Sequence, residues 1–252
     1  MEDPAGSRLG PRRVLIAAGR RLVMVRLPKL LTRDPEGFDV LVVGDSLSVG
    51  EHASGRDRGC GARLLRALAG DPSGPSGCGI QAISGARVRD LLERRAPPAR
   101  RLVVVELGTN DWLGYVPLGR WRQTPLVRFA ADYARLLDRL THAGALPVCL
   151  GVWGPADRGL EPGGRAEGDG RAEEGTGLAA YDAAIAAACH RRGGAFVALS
   201  PVYDTPGSRG PAGQRTPWGV SDATHPNDEG HRMIADLVLA ACASLSSPGL
   251  AG

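Results

Sequence analysis

Short apolar runs alternate along this chain with segments of helical periodicity, and that alternation is what most narrows its fold. The runs are Phe38–Val43, Gly79–Ile83, Leu102–Leu107, Pro147–Trp153 and Ala195–Leu199. Between them, helices are expected over Gly61–Leu68, Val88–Arg94, Pro125–Ala143 and Leu178–His190. In the longest, Phe129, Tyr133, Leu136, Leu137 and Leu140 recur at helical spacing, and Gly144 stands where a C-cap glycine would. A last helix is expected from near Asn227 to about Ala243, with Met233, Ile234, Leu237, Val238 and Ala241 as its apolar stripe. Parallel strands cannot be joined by tight hairpins and need crossovers, usually helical. The pattern therefore reads as an α/β fold with a parallel sheet.

The 252 residues suffice for one domain with a buried core. No run is apolar enough for a membrane span. Arg20, Arg21, Arg26 and Lys29 interrupt the one apolar N-terminal segment, and no clear cleavage site follows it. Residues 1–36 are expected as a basic extension, helical in part, and the location as cytoplasmic. The favoured reading of Val14–Leu31 is an amphipathic helix on the domain surface, with contact to a membrane surface as a second reading. The net charge is +4, and its arginines are scattered among acids, without the basic stripe and aromatics of a nucleic-acid binder. The five cysteines, Cys60, Cys78, Cys149, Cys189 and Cys242, lack the spacing of a zinc knuckle or a redox pair. A Cys60–Cys78 disulfide stays open, though a cytoplasmic setting disfavours it. Residues 155–177 are rich in Gly, Glu and Arg and read as a variable surface loop; Pro201–Thr224 also reads as loop.

In an open parallel sheet, ligands bind beyond the carboxyl ends of the strands. Polar clusters follow the expected strands there: Gly44-Asp45-Ser46, Ser84-Gly85, Gly108-Thr109-Asn110-Asp111 and Asp222-Ala223-Thr224-His225. They contain what ester cleavage by a serine requires: a hydroxyl nucleophile, a base and donors for the oxyanion. Ser46 at a strand-to-helix junction supplies the hydroxyl and its own N–H. Gly85 offers an N–H that no side chain blocks. Asn110 offers a side-chain amide, and His225 is the candidate base. Asp222, three residues earlier, is close enough to orient the imidazole.

These blocks resemble the SGNH hydrolase superfamily, also called GDSL esterases and lipases: Gly44-Asp45-Ser46-Leu47-Ser48, then Gly85, then Gly108-Thr109-Asn110-Asp111, then Asp222-Ala223-Thr224-His225-Pro226-Asn227. The resemblance covers roughly residues 37 to 245. It implies a three-layer α/β/α sandwich of flavodoxin-like type with about five parallel strands, with a domain over 37–246 and a tail over 247–252. It implies Ser46, Asp222 and His225 as catalytic residues, and Ser46, Gly85 and Asn110 as the oxyanion hole. It implies no organic cofactor and no metal, and a small-molecule acyl ester as substrate. A departure is Ala223, where the family often has glycine. A monomer is expected. Two other readings stand beside hydrolysis: acyl transfer through the same acyl-enzyme, and a non-catalytic binding protein on this fold.

Other polar residues in these blocks read as structural. Asp45 and Asp111 are expected to fix their loops, and Ser48 to cap or fill space. His231 is expected as a surface or partly buried residue of the last helix, and His52, His142 and His190 as structural or solvated. Trp112, Trp153 and Trp218 are read as core residues by default, with lining of an acyl or sugar pocket as the second reading.

Overall fold

The computed structural model describes residues 16–17, 20–23, 38–69, 77–94, 99–114, 122–156, 177–210, 215–216, 219–220 and 224–246. In chain order the elements are β1 (Ile16–Ala17), β2 (Arg20–Val23), β3 (Phe38–Gly44), α1 (Ser46–Val49), α2 (Cys60–Ala69), β4 (Cys78–Ile83), α3 (Val88–Leu92), β5 (Ala99–Glu106), α4 (Thr109–Leu113), α5 (Leu126–Thr141), β6 (Leu146–Leu150), α6 (Leu178–His190), β7 (Ala195–Val197), α7 (Ser200–Tyr203), β8 (Arg215–Thr216), β9 (Gly219–Val220) and α8 (Asp228–Ser246).

The sheet order is β1-β2-β4-β3-β5-β6-β7. The five strands from β4 to β7 are all parallel, as expected. Their side chains alternate between two buried faces. Leu41, Val43, Val103 and Val105 pack with Val88 of α3, Phe129, Tyr133, Leu136 and Leu137 of α5, and Tyr181 and Ile185 of α6. Val40, Val42, Val104 and Val148 pack with Leu64 and Leu65 of α2 and with Ile234 and Val238 of α8. The result is the expected three-layer α/β/α sandwich. From β3 the chain first builds outward to β4, then returns to lay β5 on the other side of β3. This reversal leaves a crevice at the carboxyl ends of β3 and β5, which is where such sheets bind ligands.

The N-terminal segment differs from its reading as a helix. Residues 16–17 and 20–23 are strands, and β2 pairs antiparallel with β4 through Leu22–Ile83 and Val23–Ala82. Without it, β4 would present an open row of backbone donors and acceptors at the sheet edge, which favours strand over helix for a neighbouring apolar segment. The rest of 1–36, most of the 155–177 loop and the 247–252 tail lie outside the described residues.

Three further differences have local causes. Strand β6 ends at Leu150 rather than Trp153 because side chains capture the next amides: Asp182 Oδ1 accepts from Val152 N at 2.7 Å and Thr109 Oγ1 accepts from Trp153 N at 3.0 Å. Within the expected loop Pro201–Thr224 a helical turn, α7, forms with Pro201 in its first turn, where a missing N–H costs nothing, and Arg215–Thr216 pairs antiparallel with Gly219–Val220. The one-turn helices α1 and α4 are too short to show periodicity. None of the five cysteines is in a disulfide, and all are buried. Among the described residues no helix is long and apolar enough to cross a membrane.

Helix α2 approaches α1 so closely that a Cβ on Gly61 would lie 2.4 Å from the Ser48 carbonyl oxygen. Gly61→Ala is therefore expected to destabilise the fold by about 1–3 kcal/mol through overpacking, despite the better helix propensity of alanine. Urea denaturation measures this; an unchanged midpoint would contradict the close approach.

Candidate active site

Strand β3 delivers Asp45 and Ser46 into the crevice. Asp45 is the N-cap of α1, and its Oδ1 accepts from Leu47 N at 3.1 Å. Its Oδ2 accepts from Asn110 Nδ2 at 2.8 Å, so Asp45 fixes its loop as expected. Ser48 does more than fill space: its backbone N and its hydroxyl both donate to Glu106 Oε2, at 3.2 and 3.1 Å. Asp45 N donates to the same oxygen at 3.1 Å. Glu106 ends β5 in register with Gly44 of β3, and a Cβ on Gly44 would lie 2.0 Å from Ser48 Oγ. Glycine is thus required for this turn to close over the buried carboxyl.

Burial of Glu106, reinforced by the neighbouring Asp45 carboxyl, pushes its pKa well above the usual carboxylate range. Burial also raises Asp45. Two adjacent buried carboxyls do not both ionise readily.

Ser46 Oγ lies 3.0 Å from Nε2 of His225 across 179 residues of sequence. The His225 segment is held by polar ties. Trp153 Nε1 donates to Thr224 O at 2.8 Å. Asn227 caps α8, its Oδ1 accepting from Glu229 N and Gly230 N at 3.0 and 3.1 Å. Asp228 accepts from Ser54 N at 2.7 Å, Ser54 Oγ at 2.5 Å and Arg58 at 3.0 Å. His52 stacks its ring on that of His225 with centroids 4.5 Å apart, and Glu51 Oε2 lies 3.9 Å from His225 Nε2. Asp222 lies outside the described residues, as does Trp218.

The other two strand ends converge on the same place. Gly85, two residues after the end of β4, adopts a left-handed φ of +69°. Asn110 sits in α4 and is buried. Its amide nitrogen donates both to Asp45 Oδ2 and, at 3.0 Å, to Ala86 O. Asp111 fixes this region as expected, accepting from Val88 N at 3.0 Å and Thr124 Oγ1 at 2.7 Å. Trp112 and Trp153 are buried core residues.

Among the described residues, Glu51, His52 and His225 are the one cluster whose ligand atoms lie close enough to share a metal ion. Stacked imidazoles turn faces, not in-plane lone pairs, towards each other, which suits metal coordination poorly.

A model described as the GDSL-like lipase/acylhydrolase family matches residues 42–233, a span that includes all the strand ends just described. This chain belongs to that family. As a family member it is a carboxylester hydrolase. A comparison with curated protein sequences finds no match. Among solved structures, the psychrotrophic esterase EstA from Pseudoalteromonas sp. is similar at 16% identity, over 81% of this chain and 96% of that one, with a TM-score of 0.54. The acetyl xylan esterase AlAXEase is similar at 19% identity, over 80% of this chain and 98% of that one, also with a TM-score of 0.54. The salicylyl-acyltransferase SsfX3 from a tetracycline biosynthetic pathway is similar at 18% identity, over 85% of this chain and 57% of that one, with a TM-score of 0.51. At these identities the likeness speaks for the fold of the esterase.

Sequence reasoning missed two residues of this site. Glu106 carried a signal: an acid at the end of a valine-rich run buried on both faces must have partners. His231 was expected at or near the surface but is fully buried in the esterase. Its Nδ1 accepts from Cys60 N at 3.3 Å, which leaves the proton on Nε2, 2.9 Å from Glu51 O. It thereby ties α8 to both ends of the segment between α1 and α2.

Burial lowers the pKa of His231 from 6.5 to about 4. The unfolded chain takes up a proton below pH 6.5 that the folded esterase resists until about pH 4. The stabilisation from neutral His231 is therefore present above pH 6.5 and is lost as pH falls towards 4. His231→Gln removes this titration, so the stability gap between wild type and variant should narrow from pH 7 to pH 5 by up to about 2 kcal/mol. Urea melts of both proteins at the two pH values measure it.

Proposed function

We propose that Ser46 is the nucleophile of this hydrolase and that it works through an acyl-enzyme. The observation that carries this reading is the 3.0 Å approach of Ser46 Oγ to His225 Nε2 at the mouth of the crevice. Ser46 Oγ attacks the acyl carbonyl while His225 Nε2 takes its proton. The tetrahedral oxyanion is met by the N–H of Ser46, the N–H of Gly85 and the amide of Asn110. His225 then gives its proton to the leaving alkoxide, and the ester C–O bond breaks. In the second half, water loses a proton to His225 and attacks the acyl-enzyme, which releases the acid and restores Ser46. Asp222 is the proposed third member of the triad, with the role of orienting the imidazole and stabilising the imidazolium. Glu51, close to the same ring, adds to that stabilisation.

Glu106 and Asp45 act on this chemistry at one remove, by holding Ser46 at the end of β3. No cofactor is needed by these steps. A small-molecule ester is the expected substrate, and its acyl group must reach the crevice between β3 and β5.

The same acyl-enzyme can be intercepted by an alcohol or amine if water is excluded. The named activity of the salicylyl-acyltransferase makes this the second reading. Product analysis with an acceptor alcohol present decides between them: free acid alone means hydrolysis.

Ser46→Ala is expected to abolish turnover of every ester in a panel of graded chain length that includes acetylated sugars, and to abolish labelling by a fluorophosphonate. Retained activity would overturn the mechanism. Asn110→Ala should lower kcat by 10²–10³, about 3–4 kcal/mol, with little change in KM. Because Asn110 also holds Asp45, the melting temperature is measured beside it, to confirm that the loss occurs in folded protein.

A further inference from the structure

A cleft of about 290 Å³ is lined by Arg87, Arg89, Arg122 and Arg128 together with Thr124 and Asp132. It adjoins the proposed oxyanion donors: Arg87 directly follows Ala86, whose carbonyl accepts from Asn110 at 3.0 Å. Arg87 also reaches across to the far wall, its Nη2 donating to the Arg122 carbonyl at 2.9 Å.

The acids nearby are already engaged. Glu93 pairs with Arg89 at 2.8 Å. Asp132 is shared by Arg128 at 3.8 Å and Arg135 at 3.4 Å. Asp90 accepts from Arg87 N at 2.9 Å, and Asp111 is taken by Val88 N and Thr124 Oγ1. Arg122 has no acidic partner among the described residues. Helix α5 starts on the same wall, with no acid and one arginine, Arg128, in its first turn. A basic residue there adds to the positive end of the helix dipole instead of offsetting it. Four guanidinium groups line the cleft against one lining carboxylate, Asp132, and an anion there would offset the excess positive charge. Guanidinium groups also match the geometry of carboxylate, sulfate and phosphate oxygens.

We infer that this cleft binds an anionic group of the ester substrate, a carboxylate, sulfate or phosphate, while the acyl carbonyl lies at Ser46. The binding site stands on the cleft alone; its link to an ester rests on the proposed function.

Two measurements test it. The first is calorimetric titration of inorganic pyrophosphate into wild type and Ser46→Ala at low salt. Both should bind, and Arg122→Gln should weaken binding about tenfold, while Arg122→Lys, which keeps the charge but loses the planar fork, should fall between the two. Arg122 is the variant of choice because Arg87 also bridges the cleft walls, so Arg87→Gln risks the local fold. The second is the ratio of kcat/KM for acyl esters whose alcohol part carries a carboxylate, a sulfate or a phosphate to that for a neutral isostere. The ratio should exceed ten in wild type and fall several-fold in Arg122→Gln, and the arm with the highest ratio names the anion. No pyrophosphate binding, or binding that Arg122→Gln leaves unchanged, overturns the site. Binding with a ratio near one overturns its role as a substrate subsite. A wild type that cleaves no ester yet binds pyrophosphate through Arg122 overturns the esterase mechanism and leaves the anion site standing.

Discussion

The turn that carries Ser46 depends on one buried carboxyl group. Glu106 Oε2 accepts from Asp45 N, Ser48 N and Ser48 Oγ, and so gathers three donors from both sides of Ser46. Such a group could not be buried alone, and the donors could not be buried without it. The arrangement is possible because β5 lies beside β3 in a register that pairs Glu106 with Gly44. Sheet register, a glycine and a buried carboxyl together set where the serine hydroxyl stands.

Among the described residues no strand of the main sheet leads into His225, and its position comes from elsewhere. Trp153 holds the carbonyl before it, and Asp228 and His231 bind the start of α8 to the segment between α1 and α2. These ties span most of the chain, and each joins the histidine's neighbourhood to that of Ser46 or to the end of β6. Polar ties of this sort do for the imidazole what register does for the serine. The neutral, buried His231 is sensitive to pH, since protonation would take away the acceptor for Cys60 N.

Much of the fold was legible because buried parallel strands and amphipathic helices write strong periodicities. The helix Leu178–His190 has its expected bounds, and α2, α5 and α8 differ from theirs by a few residues. The approach of Ser46 to His225 could be anticipated only by combining the strand-end rule with the family's blocks, since no local pattern links positions 179 apart. What stayed hidden was non-local. The strand at 20–23 exists because β4 has an edge to offer, which nothing in residues 20–23 records. Asp182 ends β6 from a helix far along the chain. His231 reads as a surface residue because its partners, Cys60 N and Glu51 O, are backbone atoms with no signature in sequence. The clustering of arginines around the cleft was equally illegible, because they look scattered until α3 and α5 are brought together.

Asn110 carries one more consequence. An amide nitrogen has two hydrogens, and here one goes to Asp45 and the other to the Ala86 carbonyl. In the proposed mechanism an incoming ester must therefore compete with a peptide oxygen for the second. A neutral ester carbonyl is no better an acceptor than a peptide carbonyl and gains little by displacing it. A tetrahedral oxyanion carries full negative charge and wins the exchange. The resting hydrogen bond thus acts as a threshold: the donor is withheld from the bound substrate and released to the species that forms at the barrier, so its interaction energy lowers the barrier instead of deepening the well before it.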